Sequence, residues 1–383
     1  MKLLLITDGI TPFVIGGMQK HSAGIAKHLS QKGVTVTLVH CVPYDKKVPS
    51  REEVLESMGM AIESSLEVIG MKFPKPGFVP GHYLSESYLY SMQVYFLLKD
   101  RLKEFDFIYC KGFSGWYFLK KKKSGESMPP IGVKFHGYEM FQKGGGWRLY
   151  WERMLLKGPT KWITSHADFV FSYGGKITEL IKGLGIPTQR IIEVASGIDK
   201  SWVSQKKSTQ IDVLNFLFVG RYERRKGIEE LSEVIKQLPV REKVMFHFVG
   251  PIDYSKRVVR EDVIYHGEIR KAEEMKAVFD ACNVLLVPSH SEGMPNVILE
   301  GMSRGLAIVA TDVGAVAALV DSTNGWLIPP QDIHRLNSTI ESIINGDWSE
   351  IPIKGSISQS KVLRDFIWDS ISDKIILSTF GRL

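Results

Sequence analysis

Apolar residues follow two rhythms along this chain, short unbroken runs and stretches spaced at three and four, and the two alternate. Residues 2–7, with the four-residue run Leu3–Ile6 at their centre, predict a buried apolar strand, and a loop with Gly16-Gly17 leads into a predicted helix near 18–32. Gly33 stands where a helix C′ residue belongs, and residues 34–39 supply the next strand. Further strands are predicted near 106–110, 131–135, 168–173 and 190–194. Residues 45–86 break the rhythm with Pro and Gly clustered over 72–80, and read as a long insertion or loop. The polar stretch 204–210 reads as a linker. The second half restarts the pattern, with strands at 213–219, 244–249, 263–266, 283–287 and 306–310 and helices near 227–237, 271–281 and 295–304. Residues 366–376 have helical apolar spacing and predict a closing helix.

Near-continuous apolar strands separated by helices mean parallel sheets covered on both faces. The expected fold class is α/β, with two doubly wound, Rossmann-like domains facing each other across a cleft where ligands bind. The expected divisions are a first domain over 1–200, a second over 201–360, and a terminal helix over 361–383 packing back on the first. A length of 383 residues suits two cores rather than one. Cys41, Cys110 and Cys282 lie far apart without CxxC spacing, so neither a disulfide framework nor a zinc site is expected, and a cytoplasmic setting fits. Asp8 ends the first apolar run too early for a signal peptide, and no run reaches membrane-spanning length.

Charge changes this picture in one respect. Residues 1–200 carry 27 Lys+Arg against 18 Asp+Glu, a net +9, whereas residues 201–383 carry 22 against 24, a net −2. The excess peaks at Lys120-Lys121-Lys122-Lys123 and again at Lys134, Lys143 and Arg148. It suggests either an anionic partner for the first half, such as a membrane surface, an acidic acceptor or a nucleic acid, or simply a solvated lysine loop. No nucleic-acid-binding module accompanies the charge, so a nucleic acid is not expected.

Chemistry concentrates at the ends of predicted strands. Pro288-Ser289-His290-Ser291-Glu292-Gly293-Met294-Pro295 follows a strand and opens a helix, with Pro295 at or near its first position. The backbone N–H groups of Gly293, Met294, Asn296 and Val297 would face outward there, suited to a hydroxyl, carboxylate or phosphate. Glu292 precedes the helix and Glu300 lies within it, so the two can address different ends of an elongated ligand; a helix cap plus one exposed Glu is the plainer reading. Gly220-Arg221 and Lys226-Gly227 follow the first strand of the second half, where Arg and Lys would neutralise a diphosphate. Arg224 and Arg225 read as a solvated basic loop. Gly16-Gly17 lets backbone approach a ligand but lacks G-x-G-x-x-G, so no dinucleotide site is implied. His136-Gly137 ends the strand at Val133-Lys134-Phe135. No Asp-x-Asp triplet occurs, so no bound metal is expected at a diphosphate, and no cofactor is implied.

Together these residues resemble the retaining glycosyltransferases of family 4, which have the GT-B fold. Glu292 and Glu300 match that family's E-x7-E motif, and Gly220-Arg221 with Lys226-Gly227 matches its G-R-(x4)-K-G motif. Ser196-Gly197-Ile198-Asp199, His136-Gly137, Asn324–Pro330 and the Trp368 tail also fit. The resemblance implies a nucleotide-diphosphate sugar as donor, an acceptor it does not identify, and no required metal. It implies that Glu300 bonds the donor ribose, Arg221 and Lys226 hold the diphosphate, Glu292 orients the transferred sugar and His136 touches sugar or acceptor. The +9 balance of residues 1–200, the Lys120–Lys123 run and the nearby Phe113, Trp116, Tyr117 and Phe118 also admit a peripheral position on the inner face of a membrane. Alternatives are a GT-B sugar-nucleotide epimerase and an inactive GT-B binding or scaffold protein. Gly314-Ala315-Val316-Ala317-Ala318 departs from the family's Gly-Gly-x-x-Glu, with alanine for the second Gly and the Glu.

Overall fold

A computed structural model describes residues 1–77, 81–142, 147–204 and 210–381. Lys143 and most of the linker stretch, 205–209, lie outside the described residues, as does the side chain of Arg148.

The chain divides into two compact units. The first takes Met1–Phe141, Gly146–Gly197 and Trp368–Leu383, and the second takes Gln142–Gly145 and Ile198–Ile367. Unit 1 contains strands β1 (Lys2–Ile6), β2 (Thr35–Val42), β3 (Glu67–Lys72), β4 (Phe107–Lys111), β5 (Ile131–Lys134), β6 (Phe169–Ser172) and β7 (Ile191–Glu193). They form one parallel sheet in the order β3-β2-β1-β4-β5-β6-β7. Unit 2 contains β8 (Leu214–Val219), β9 (Val244–Val249), β10 (Val263–Gly267), β11 (Val284–Val287), β12 (Ala307–Thr311) and β13 (Gly325–Ile328), parallel in the order β10-β9-β8-β11-β12-β13.

In both sheets the order reverses beside the first strand of the unit, so each is doubly wound, with ligands favoured beyond the strands' C-terminal ends. Every residue of β4, β5, β11 and β12 is buried, as helices on both faces require. The helix Gly17–Gln31 ends in a paired turn: the N–H of Gly33 donates to Ser30 O and that of Val34 to Leu29 O, both at 3.1 Å.

Residues 45–86 are not a loop. They hold the helix Arg51–Ser57, with a reciprocal Ser50–Glu53 capping box, and the edge strand β3. That strand is only half-buried along most of its length, and the Pro and Gly clustered directly after its Val68–Met71 run hid it in the sequence. The helix after β11 spans Asn296–Ser303, and Pro295, with ψ 115°, caps it from outside rather than forming its first turn.

The closing helix Trp368–Phe380 packs in unit 1. Trp368 stacks on His28 with ring centres 5.3 Å apart, and a Cβ on Gly24 or Gly197 would lie 2.1 or 2.4 Å from its ring. Those two glycines are the space the indole fills.

Candidate functional site

In unit 2 the ends of β8 and β11 bring two loops together. Gly227 ends the first loop with φ +67°, and a Cβ there would stand 1.9 Å from Pro288 O, so only glycine permits the approach. The N–H of His290 donates to Arg225 O at 2.7 Å and fastens the loops. Lys226 Nζ then donates to Glu292 Oε1 at 2.6 Å, and Ser289 Oγ donates to the same oxygen at 2.9 Å. Arg225 Nη1 lies 3.8 Å from Glu292 Oε2, and its Nε pairs with Glu223 at 2.8 Å. Arg221 pairs with the other oxygen of Glu223 at 2.9 Å. Three cations thus share two carboxylates, leaving a local positive excess. The Glu292 side chain is 7% exposed and Arg221's is 70%, so the charge runs from buried anchor to open rim.

Arg224 is exposed and pairs with Glu229, as a solvated loop residue would. Arg225 is different: it turns inward to Glu292, because Glu223 and Glu292 together offset its charge. Ser289 escaped the sequence reading, and its position three residues before Glu292 in a strand-end loop was the available signal.

Gly293 and Met294 are buried, whereas Asn296, Val297 and Glu300 are half-buried along the first turns of their helix. The Gly314 segment cradles this loop from below. Gly314 has φ +55°, a Cβ there would meet Glu292 O at 2.2 Å and Gly293 O at 2.5 Å, and Ala315 N–H donates to Gly293 O at 2.8 Å. The first glycine of the family pattern is thus the one this geometry needs. Ala315 is buried without conflict and Ala318 is exposed on a short 3-10 turn.

Unit 1 carries its own polar layer at the C-terminal edge of its sheet. Gly16 and Gly17 open the first helix, with Gly17 exposed. His136 Nδ1 lies 3.2 Å from the Tyr173 hydroxyl. Beside them are two lysines, each only 1% exposed: Lys111 at the end of β4 and Lys134 at the end of β5. Lys111 Nζ is 2.8 Å from His21 Nδ1, and Lys134 Nζ donates to Val194 O at 2.8 Å and sits 3.7 Å over the Tyr173 ring. Burial pulls the Lys111 ammonium down to about 7, and moves Lys134 and His21 well below their usual ranges. Lys134 therefore does not add to a basic surface: it ends a strand covered on both faces.

The Lys120–Lys123 run is the last turn of the helix Trp116–Lys123, not a loop, and cations there oppose the negative end of the helix dipole. Lys122 pairs with Asp168 at 2.6 Å, while Lys120 and Lys123 are exposed. Of the neighbouring aromatics, Phe113 and Phe118 are core residues, and Trp116 and Tyr117 are half-buried. Among the described residues no helix is long and apolar enough to cross a membrane.

The family model described as Glycosyltransferase Family 4 matches residues 15–202, and that described as Glycosyl transferases group 1 matches 214–346. A putative colanic acid biosynthesis glycosyltransferase, WcaL, of Salmonella typhimurium is 25% identical over 212 residues, 51% of this chain and 52% of that protein. The chain spans about half the length of several of the curated relatives it matches. Sucrose-phosphate synthase from Thermosynechococcus elongatus superposes with a TM-score of 0.78 at 18% identity, over 100% of both chains. Anabaena Alr3699/HepE, solved with UDP-glucose, superposes with a TM-score of 0.70 at 16% identity, again over 100% of both. The fold is that of the GT-B glycosyltransferases.

Proposed function

Because the chain belongs to glycosyltransferase family 4, we propose that it transfers a sugar from a nucleotide-diphosphate donor to an acceptor, with retention at the anomeric carbon. The observation that carries this reading is the Lys226–Glu292 pair, with Arg225 and Arg221 beside it at the strand-end edge of unit 2. Departure of a nucleoside diphosphate builds negative charge on the leaving oxygens. Fixed cations aimed there stabilise that charge more than the ground state. Arg221 at the open rim would meet the diphosphate, with Lys226 behind it held in place by Glu292. The N-terminus of the helix Asn296–Ser303 would add its dipole, and Glu300 would bond the donor's ribose. In unit 1, the Gly16-Gly17 loop would approach a donor and His136 would touch a sugar or acceptor. HepE, with the same fold, was solved with UDP-glucose, which supports a nucleotide sugar as the donor class.

No metal is required in this reading, since the Arg and Lys side chains supply the charge a cation would. A screen of nucleotide sugars for released UDP or GDP, run with and without EDTA, tests both points. Turnover of one donor that survives chelation is the expected result. No turnover of any donor would overturn the transferase, and an absolute, metal-restorable requirement would overturn metal independence. A second reading concerns place: Lys120 and Lys123, exposed at one helix end, would meet an anionic membrane surface on its cytoplasmic side.

A further inference from the structure

Unit 1 contains a second built feature, at the C-terminal ends of β1, β2 and β3. A cavity of about 300 Å³ opens there, lined by Asp8, Cys41, Pro43, Tyr44, Phe73 and Tyr83 among others. Its volume is at the lower end of small-molecule sites, which run from about 300 to 1,000 Å³. The walls are almost wholly apolar or aromatic: the Phe73 and Tyr83 rings stack 6.2 Å apart, and Tyr83 meets Phe113 edge-on at 5.9 Å.

One polar atom stands apart. Asp8 Oδ1 is buried and has no hydrogen-bond partner among the described residues. An unmet carboxylate oxygen in an apolar cavity is costly unless a ligand supplies a donor. Among the described lining residues Asp8 is the acid that ionises near neutrality, since burial pushes the Cys41 thiol up to about 12 and keeps it neutral. Burial raises the Asp8 carboxyl to about 6 against a smaller opposing pull from Lys111, so it is ionised above that pH.

We propose that this pocket holds the terminal sugar of the acceptor, a neutral pyranose, with one hydroxyl donating to Asp8 Oδ1 and a C–H face against Phe73 and Tyr83. The proposal rests on the glycosyl-transfer reading above. A hydroxyl is the donor that satisfies the carboxylate without adding charge. An aromatic wall suits the apolar face of a sugar ring. A phosphate or uronate would instead bring a second negative charge beside Asp8 in a low-dielectric pocket.

Saturation-transfer NMR on the full chain tests this, with the methyl α-pyranosides of mannose, glucose and galactose as neutral probes. Methyl α-glucuronopyranoside and glucose 6-phosphate serve as anionic ones. At least one neutral probe is expected to bind, the anionic probes are expected to stay silent, and affinity should fall about tenfold or more in Asp8→Ala. Tyr83 lies partly exposed at the rim, so Tyr83→Ala should keep the fold and show a comparable loss. No binding of any neutral probe, equal binding by both variants, or stronger binding of the anionic probes would overturn the pocket. UDP and GDP, added to the same samples, report on unit 2 separately. Pyranoside binding without nucleotide binding would count against the donor reading alone, and nucleotide binding without pyranoside binding against the pocket alone.

Discussion

The ammonium of Lys226 stands 2.6 Å from Oε1 of Glu292, which Ser289 also approaches at 2.9 Å. The carboxylate is thus engaged before any ligand arrives, and its task is to fix the lysine as much as to meet a sugar. Removing either partner leaves the other charge poorly compensated in a mostly buried place. Glu292→Gln and Lys226→Met should each lower unfolding free energy by about 1–3 kcal/mol and weaken donor binding by about tenfold or more. Arg221→Ala and Glu300→Gln act on less buried groups, and should weaken donor binding while leaving stability within about 0.5 kcal/mol. Urea unfolding and calorimetric titration with the donor's nucleotide separate the two effects. Intact affinity in Arg221→Ala would show that the rim cation has no part in binding.

Gly314 supplies a purely steric prediction. A side chain there would enter the Glu292 and Gly293 carbonyls and demand an unfavourable φ. Gly314→Ala should destabilise by about 1–3 kcal/mol and weaken the nucleotide site along with it. Ala318→Glu, on an exposed turn, should leave the melting temperature unchanged. Thermal unfolding of both variants checks the contrast.

Asp8 links stability to pH. Burial raises its carboxyl from 3.8 to about 6, so between those values the folded chain keeps a proton that the unfolded chain has released. Stability therefore falls as pH rises from about 4 through about 6. Asp8→Asn removes that loss and should stabilise the protein at pH 8 by up to about 3 kcal/mol. The gain should fade below pH 4. Lys111, lowered to about 7, contributes a separate dependence of opposite sign above neutrality, so the comparison is made as variant minus parent at each pH. A pH-independent difference in denaturant midpoint would refute the assignment.

The basic helix end predicts a salt-sensitive surface. Full-length protein should co-sediment with vesicles containing phosphatidylglycerol at low salt and release at high salt. Each exposed lysine contributes about 1 kcal/mol near an anionic leaflet. Exchange of Lys120 and Lys123 for Ser should remove most of the binding. Sedimentation unchanged by either treatment would mean that these lysines only complement their helix dipole.

Much of this protein was determined by local sequence alone. Apolar runs such as Leu3–Ile6 of β1, Phe216–Val219 of β8 and Val284–Val287 of β11 are what a parallel strand covered on both faces requires, and the turn residues between them mark where loops reach the strand ends. The positions of Arg221, Lys226, Glu292 and Glu300 followed from that, because loops after parallel strands are where the chain is free to carry chemistry. Edge strand β3 was hidden because Pro74, Pro76, Gly77 and Pro80 crowd the chain directly after its Val68–Met71 run, so the segment reads as loop. Tertiary structure alone decided the state of individual charges. Lys134 and Lys123 are the same residue type in one basic half. Lys134 is sealed beneath Tyr173 and Val194 O, whereas Lys123 lies open at a helix end. Likewise, adjacent Arg224 and Arg225 part company because Glu292, 67 residues after Arg225, attracts only one of them. A local pattern reports how a residue shapes its own segment. Burial and ion pairing depend on segments far away along the chain, and only the folded structure brings them together.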